Sequence, residues 1–358
     1  MYRLYDIGYA IELARVSELL ISDAPARARA QRVEAQALQI ANPPVTVALG
    51  DREITIDFAV RHAQLVARIF DFGVASLQLE IGGEDTLSWS AFVAFARTLE
   101  GSREIDDLFA RELDALRLRI APAIECAGLA PVREGYIVFR ISALRTRDGG
   151  VATSQVVLTD ERLAPLLLGE PRLLAPKALR ELLQHRFSYY ADDLVVLTWE
   201  NALVLEPATN DRDVEYILEF ANAQLLELRF YDAVLDAELP AMYERVAHAR
   251  GRRRFPTRRF QGVLADLQTR VADVTETVER AENALKVTDD VYLARVYDAA
   301  LDLFRAAWWR RGIERKLDIF RSTYDMLNDE AQAARAELLE LAVLLIIVAE
   351  LVLGLVRH

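Results

Sequence analysis

Apolar residues follow two different periods along this chain. As far as Glu206 they cluster in short runs or alternate, and beyond Pro207 they recur every three or four residues. The runs at 45–49 (VTVAL), 53–58 (EITIDF), 75–81 (ASLQLEI) and 135–144 (GYIVFRISAL) predict strands. Two more over 193–207, parted by little more than Glu200-Asn201, predict a hairpin. Helical spacing marks 88–100, 103–119 and 176–185. Two phrases echo each other, YDIGYAIEL from Tyr5 and FDFGVASLQL from Phe70. In each, an aromatic, an aspartate, an apolar residue and a glycine precede an apolar run, through duplication or coincidence. Gly8 and Gly73 are expected where no side chain fits.

The second half reads as helix. Apolar residues at 214, 217, 218, 221, 225, 228 and 235 predict an amphipathic helix capped by Asn210 or Asp211. Phe260, Leu264, Leu267, Val271, Val274, Val278, Ala281 and Leu285 alternate spacings of four and three, which predicts a coiled coil. VTDD at 287–290 offers a turn and an N-cap for the helix that follows. A second heptad run starts at Ile313 and continues through Leu317, Phe320, Tyr324 and Leu327 into Leu338, Leu341, Leu345, Val348 and Val352 without a change of phase.

That run ends in a segment with a character of its own. Leu338–Val356 is 19 residues, 14 of them Leu, Ile or Val, and as a helix it would be about 28 Å long, close to the ~30 Å of a bilayer's hydrocarbon. Glu340 lies near its start and Glu350 nearer its other end. A membrane span is expected over a buried core helix. The expected architecture is an α+β N-terminal domain (1–207), a long helical, coiled-coil stalk (208–335) and one C-terminal transmembrane helix (336–358). The seam's constant phase makes another copy of the chain the expected neighbour. Its interface is expected to include Glu340, Leu345, Val348, Glu350, Val352 and Gly354, where Gly354 allows close helix approach.

Composition narrows the classes. The net charge of −12 opposes general binding to nucleic acid. A single cysteine, Cys126, excludes an intrachain disulfide framework. Abundant alanine and arginine with little lysine suggest a bacterial source. The start has acidic residues within its apolar stretch and no clean signal-peptide core. The expected localisation is therefore the inner membrane, single-pass and tail-anchored, with the bulk of the protein cytoplasmic.

Chemistry-bearing motifs are sparse. The sequence contains no phosphate loop, no histidines paired at helical spacing and no glycine-flanked nucleophilic serine. No catalytic residue, cofactor site or metal site is assigned. Asp192-Asp193 reads as a turn before the hairpin rather than a cation site. Six arginines stand out: Arg250, Arg252, Arg253, Arg254, Arg258 and Arg259, around Phe255 and Pro256. They suit anionic lipid headgroups or an acidic partner, less well RNA, and equally a role in neutralising acids such as Glu238 and Glu244.

The tail LLELAVLLIIVAEL, preceded by KLDIFRSTYDMLND, resembles the end of the "required for meiotic nuclear division" family. Leu339-Glu340-Leu341 falls on that family's Leu-Glu-Trp and Glu350 on its later acid. GYIVFRI (135–141) is similar to its Val-Phe-Trp strand, and Ala221, Ala223 and Gln224 align with its Ala-Leu-Ala-Gln-Ser helix. Leu341 replaces the tryptophan and Leu225 the serine. The resemblance implies a membrane-anchored, self-associating scaffold or tethering protein with no established catalysis. The alternative expectation is an oligomeric ion channel of the CorA type with a pore lined by Glu350, although the Gly-Met-Asn signature of those channels is missing.

Overall fold

The computed structural model describes residues 1–22, 39–40, 42–57, 59–82, 87–99, 101–146, 148–170, 172, 174–207, 212–251, 265, 269, 272, 275, 285–286 and 290–356. They divide into two compact units. The first comprises 1–230 and 280–307, and the second 231–279 and 308–358.

A mixed eight-stranded sheet organises the first unit. Its strands are β1 (Tyr2–Asp6), β4 (Val45–Ile56), β5 (Ala59–Ile69), β6 (Val74–Ile81), β8 (Arg133–Ile141), β9 (Arg186–Phe187), β10 (Leu194–Leu197) and β11 (Asn201–Leu205). Two-residue ladders join β2 (Ala10–Ile11) to β7 (Ile124–Glu125), and β3 (Gln39–Ile40) to β12 (Leu285–Lys286). The order across the main sheet is β4-β5-β6-β1-β8-β11-β10-β9. All its neighbours are antiparallel except β8 and β11, which run parallel. The two runs predicted at 45–49 and 53–58 form one strand, β4, because a register shift between Ala48 and Gly50 absorbs the break in pattern.

Side chains alternate between the sheet's faces. One face carries Tyr5, Ile7, Val47, Leu65, Ala67, Leu77 and Phe139 into the main core. The helices contributing buried residues to that core are α1 (Leu13–Ser22), α2 (Trp89–Leu99), α3 (Arg103–Ile120), α4 (Ser154–Leu158) and α5 (Leu163–Leu168). A shorter helix, α6 (Pro176–Leu182), follows. Helix α3 also guards the sheet's edge: Glu104 accepts the backbone N–H of Thr55, and Glu112 holds Arg52 at 2.8 Å. An edge engaged in this way is a poor template for a foreign strand.

The opposite face is covered by the N-terminal part of α7 (Asp213–Gly251) and by α8 (Val291–Leu303). Within the run expected to supply the cap, Asp290 is the residue that caps α8, accepting from the N–H groups of Tyr292 and Leu293. Aromatic contacts fasten both ends of α8: Tyr292 meets Tyr189, and Phe304 meets Tyr136 and Trp199. Because α7 has the sheet on one side and α8 on another, every residue from Val214 to Leu228 is buried. The amphipathic pattern is thus only part of the story, since the polar stripe is buried too.

The echoed phrases meet in space. Asp6 pairs with Val74 across β1 and β6, and the N–H of Ile7 donates to the carbonyl of Gly73. Gly73 has φ +98°, and a Cβ there would run into the carbonyl oxygen of Gly8. Both glycines therefore serve a close backbone crossing.

The second unit holds the C-terminal part of α7, from Tyr231, and nearly all of α9 (Ala306–Val356). Leu235, Met242 and Val246 are buried on α7, and Ile313, Leu317, Phe320 and Leu327 on α9, as the heptad predicts. Lys316 joins the two helices, its Nζ lying 2.7 Å from both Asp232 and Asp236. The heptad at 260–285 falls almost wholly outside the described residues, as does the cap at Asn210 or Asp211.

The expected transmembrane helix is overturned. Among the described residues no helix is long and apolar enough to cross a membrane. The physical reason lies in the two acids: between Glu340 and Glu350 the uninterrupted apolar stretch is nine residues, Leu341–Ala349. That is about 13 Å of helix, less than half of the ~30 Å required. The tail anchor over 336–358 and the single-pass inner-membrane localisation are corrected with it.

Candidate functional site

Two regions among the described residues concentrate unusual chemistry. The first is the ionic layer between the sheet and α7. Arg68 of β5 pairs with Glu219, Arg140 of β8 with Glu215, and Arg229 of α7 with Glu134 of β8. Asn222 donates to the Tyr2 hydroxyl at 2.9 Å, and Gln224 accepts from Tyr297. The Arg68 guanidinium also lies over the Tyr216 ring, 4.6 Å from its centroid. Burial pulls the Arg68 pKa down to about 10, with the nearby Tyr216 and Tyr2 hydroxyls opposing. Burial raises the Glu134 carboxyl, against the pull of Arg229.

Two atoms of this layer, Glu219 Oε1 and Ser76 Oγ, are buried with no hydrogen-bond partner among the described residues. Ser76 stands directly opposite Arg68 in the β5–β6 register. At the end of β1, Asp6 is 5% exposed, and burial pushes its carboxyl up to about 7 while the backbone N–H of Gly8 opposes. Sequence reasoning missed the ion pairs of this layer. The available signal was a basic residue inside a predicted strand (Arg140) and two acids one helical turn apart, Glu215 and Glu219.

The second region is the end of α9. Leu345, Val348 and Val352 are 60, 48 and 58% exposed, and Glu340 and Glu350 are exposed as well. Leu339, Leu341, Val343, Leu344, Ile346, Ile347, Leu351 and Leu353 are each at least half exposed. Gly354 belongs to the backbone of the helix. The structure thus brings together, on one helix, the residues expected to form an interface between copies. The basic cluster is not described as a whole. Arg250 sits near the end of α7, and Arg252, Arg253, Arg254, Arg258 and Arg259 lie outside the described residues.

Asp193 proves to be a turn organiser, its Oδ1 accepting from Ser188 Oγ and from the N–H groups of Tyr189 and Tyr190. Among the described residues, no group of three or more His, Cys, Asp or Glu side chains is placed to hold a metal ion.

The fold defines an α+β protein whose mixed sheet carries helices on both faces and whose long helices continue into a separate unit. Its family is shown by the match of residues 1–212: the chain belongs to the family described as "Uncharacterized protein MJ0711, N-terminal domain". It is 22% identical over 228 residues to the "Uncharacterized protein MJ0711" of Methanocaldococcus jannaschii, a match covering 63% of this chain and 66% of that protein. No solved structure matches it. The family match covers the sheet and ends at Arg212, before α7, so the end of α9 lies beyond it.

Proposed function

We propose that this chain is a self-associating scaffold protein, in which the α+β unit is presented by helices that assemble with copies of themselves. One observation carries this reading. The heptad seam buried at Ile313, Leu317, Phe320 and Leu327 continues in the same phase to Leu341, Leu345, Val348 and Val352, where it is uncovered. The eleven exposed aliphatic residues between Leu339 and Leu353 present on the order of 1,000 Å², above the few hundred Å² usual for one patch on a monomer. A stable interface needs about 800 Å² from each partner. The resemblance to the "required for meiotic nuclear division" family points the same way, and we extend our proposal to a distant relationship with it. The alanine- and arginine-rich composition supports a bacterial source in the same proposal. The channel alternative depended on a membrane span and is not retained.

Sedimentation of the full chain tests the scaffold reading. The expected result is an assembly that Val348→Asp dissociates while the far-ultraviolet circular dichroism stays unchanged. A wild-type chain that sediments as a monomer at high micromolar concentration would overturn it.

A further inference from the structure

The angular distribution of the exposed residues says more than that the chain self-associates. At about 100° per residue, and taking Leu345 as zero, nine of the eleven exposed aliphatic positions spread from Leu351 on one side to Leu339 on the other. They pass through Leu344, Val348, Leu341, Val352, Leu353 and Ile346 on the way. That arc is about 240° wide, whereas a single pairwise coiled-coil seam uses a narrow a/d stripe and a helix facing one core an arc of roughly 100°. Glu350 and Glu340 sit at the two margins of the remaining arc, about 140° to either side of Leu345, with Val343 and Ile347 between them. No other charged residue occurs between them.

One partner helix would leave half of this arc in water. Two neighbours for every helix cover it, and a ring in which each helix has two neighbours contains at least three. We propose that the ends of α9 from three or four copies of this chain pack into one bundle, with Leu345, Val348 and Val352 toward its axis and Glu340 and Glu350 facing outward.

Copies of the same chain suit this surface better than a partner of different chemistry. The wide arc carries no charge that would need an opposite one, so identical surfaces meet without repulsion. The acids that would clash if turned inward are already on the far side. The bundle also prolongs, in phase, a seam that the chain itself buries at Ile313–Leu327. This inference rests on the self-association proposed above and adds the number of copies and the direction of the acids.

Multi-angle light scattering of the full chain, with two charge variants, tests it. A discrete particle of three or four times the 40.4 kDa chain mass is expected. Glu350→Lys is expected to keep that mass, and Leu345→Lys to reduce it to one chain at the same concentration. A discrete dimer would overturn the bundle and leave self-association standing, whereas a monomer would overturn both. A mass that climbs without a plateau would show non-specific adhesion and also sink the bundle. Loss of assembly in Glu350→Lys would place the acid inside and overturn the assigned direction.

Discussion

The ionic layer under α7 and the exposed end of α9 break the usual distribution of side chains in opposite senses. In the first unit, charges are buried: Glu215, Glu219 and Glu134 are between 2 and 9% exposed, and each finds an arginine across the sheet–helix gap. In the second, leucines and valines are exposed, and no described element packs on them. A buried carboxylate is tolerable because its partner lies in the same chain. The same reasoning applied to uncovered aliphatic surface puts the partner outside the chain. One sequence therefore contains a region whose charges find partners within the chain and, on the proposal above, a region that needs company.

The sharpest way to test that difference is to remove one acid from each region. Glu219→Ala leaves the Arg68 guanidinium in a buried site without its carboxylate, and breaking one side of such a pair costs about 3–5 kcal/mol. Replacing both partners, Arg68→Met with Glu219→Leu, is expected to recover most of the loss. Glu350→Ala removes an exposed acid and is expected to stay within about 0.5 kcal/mol of wild type. Urea denaturation compares the three. Equal costs for Glu219→Ala and Glu350→Ala would erase the contrast between the regions.

A second test uses pH. Burial holds the Asp6 carboxyl at about 7, while an unfolded aspartate titrates near 3.9. Between those values the folded chain keeps a proton that the unfolded chain has released, so stability falls as pH rises. The Asp6 contribution is fully present below about pH 4 and is lost as pH passes 7. Its size is a few kcal/mol, at about 1.4 kcal/mol per pKa unit. Asp6→Asn is expected to flatten the slope of unfolding free energy between pH 4.5 and 7. A wild-type slope unchanged by the substitution would mean that Asp6 is ionised in the folded chain.

Much of the first unit was legible because its strands announce themselves. The runs at 75–81 and 135–144 and the hairpin at 193–207 became β6, β8 and β10–β11. Strand β5 was not legible. Its inward positions are Ala63, Leu65, Ala67 and Ile69, and small alanines at half of them blur the alternation. The echoed glycines could be read for what they do, since a crossing backbone leaves glycine as the only fit, but not for where they meet. The ionic layer stayed hidden because a strand arginine and a helix glutamate are each ordinary. Only the register Arg68↔Ser76 and the second layer α8 make them a buried pair. The end of α9 was misread for the opposite reason: average hydropathy dominated, and the two acids dividing the stretch were treated as margins rather than interruptions.

The smallest expected effect is the most discriminating. Leu345 is 60% exposed, so Leu345→Ser should change the stability of the isolated chain by no more than about 0.5 kcal/mol. The measurement belongs at a concentration where wild type and variant are both monomeric, because assembly adds stability by mass action. Leu317 offers the internal reference. It is 5% exposed on the same seam, four heptads before Leu345, and Leu317→Ala should cost about 2–5 kcal/mol. If Leu345→Ser were as costly as Leu317→Ala in the monomer, the end of α9 would already be covered within its own chain. The seam would then close inside one molecule, and nothing would be left for a second copy to complete.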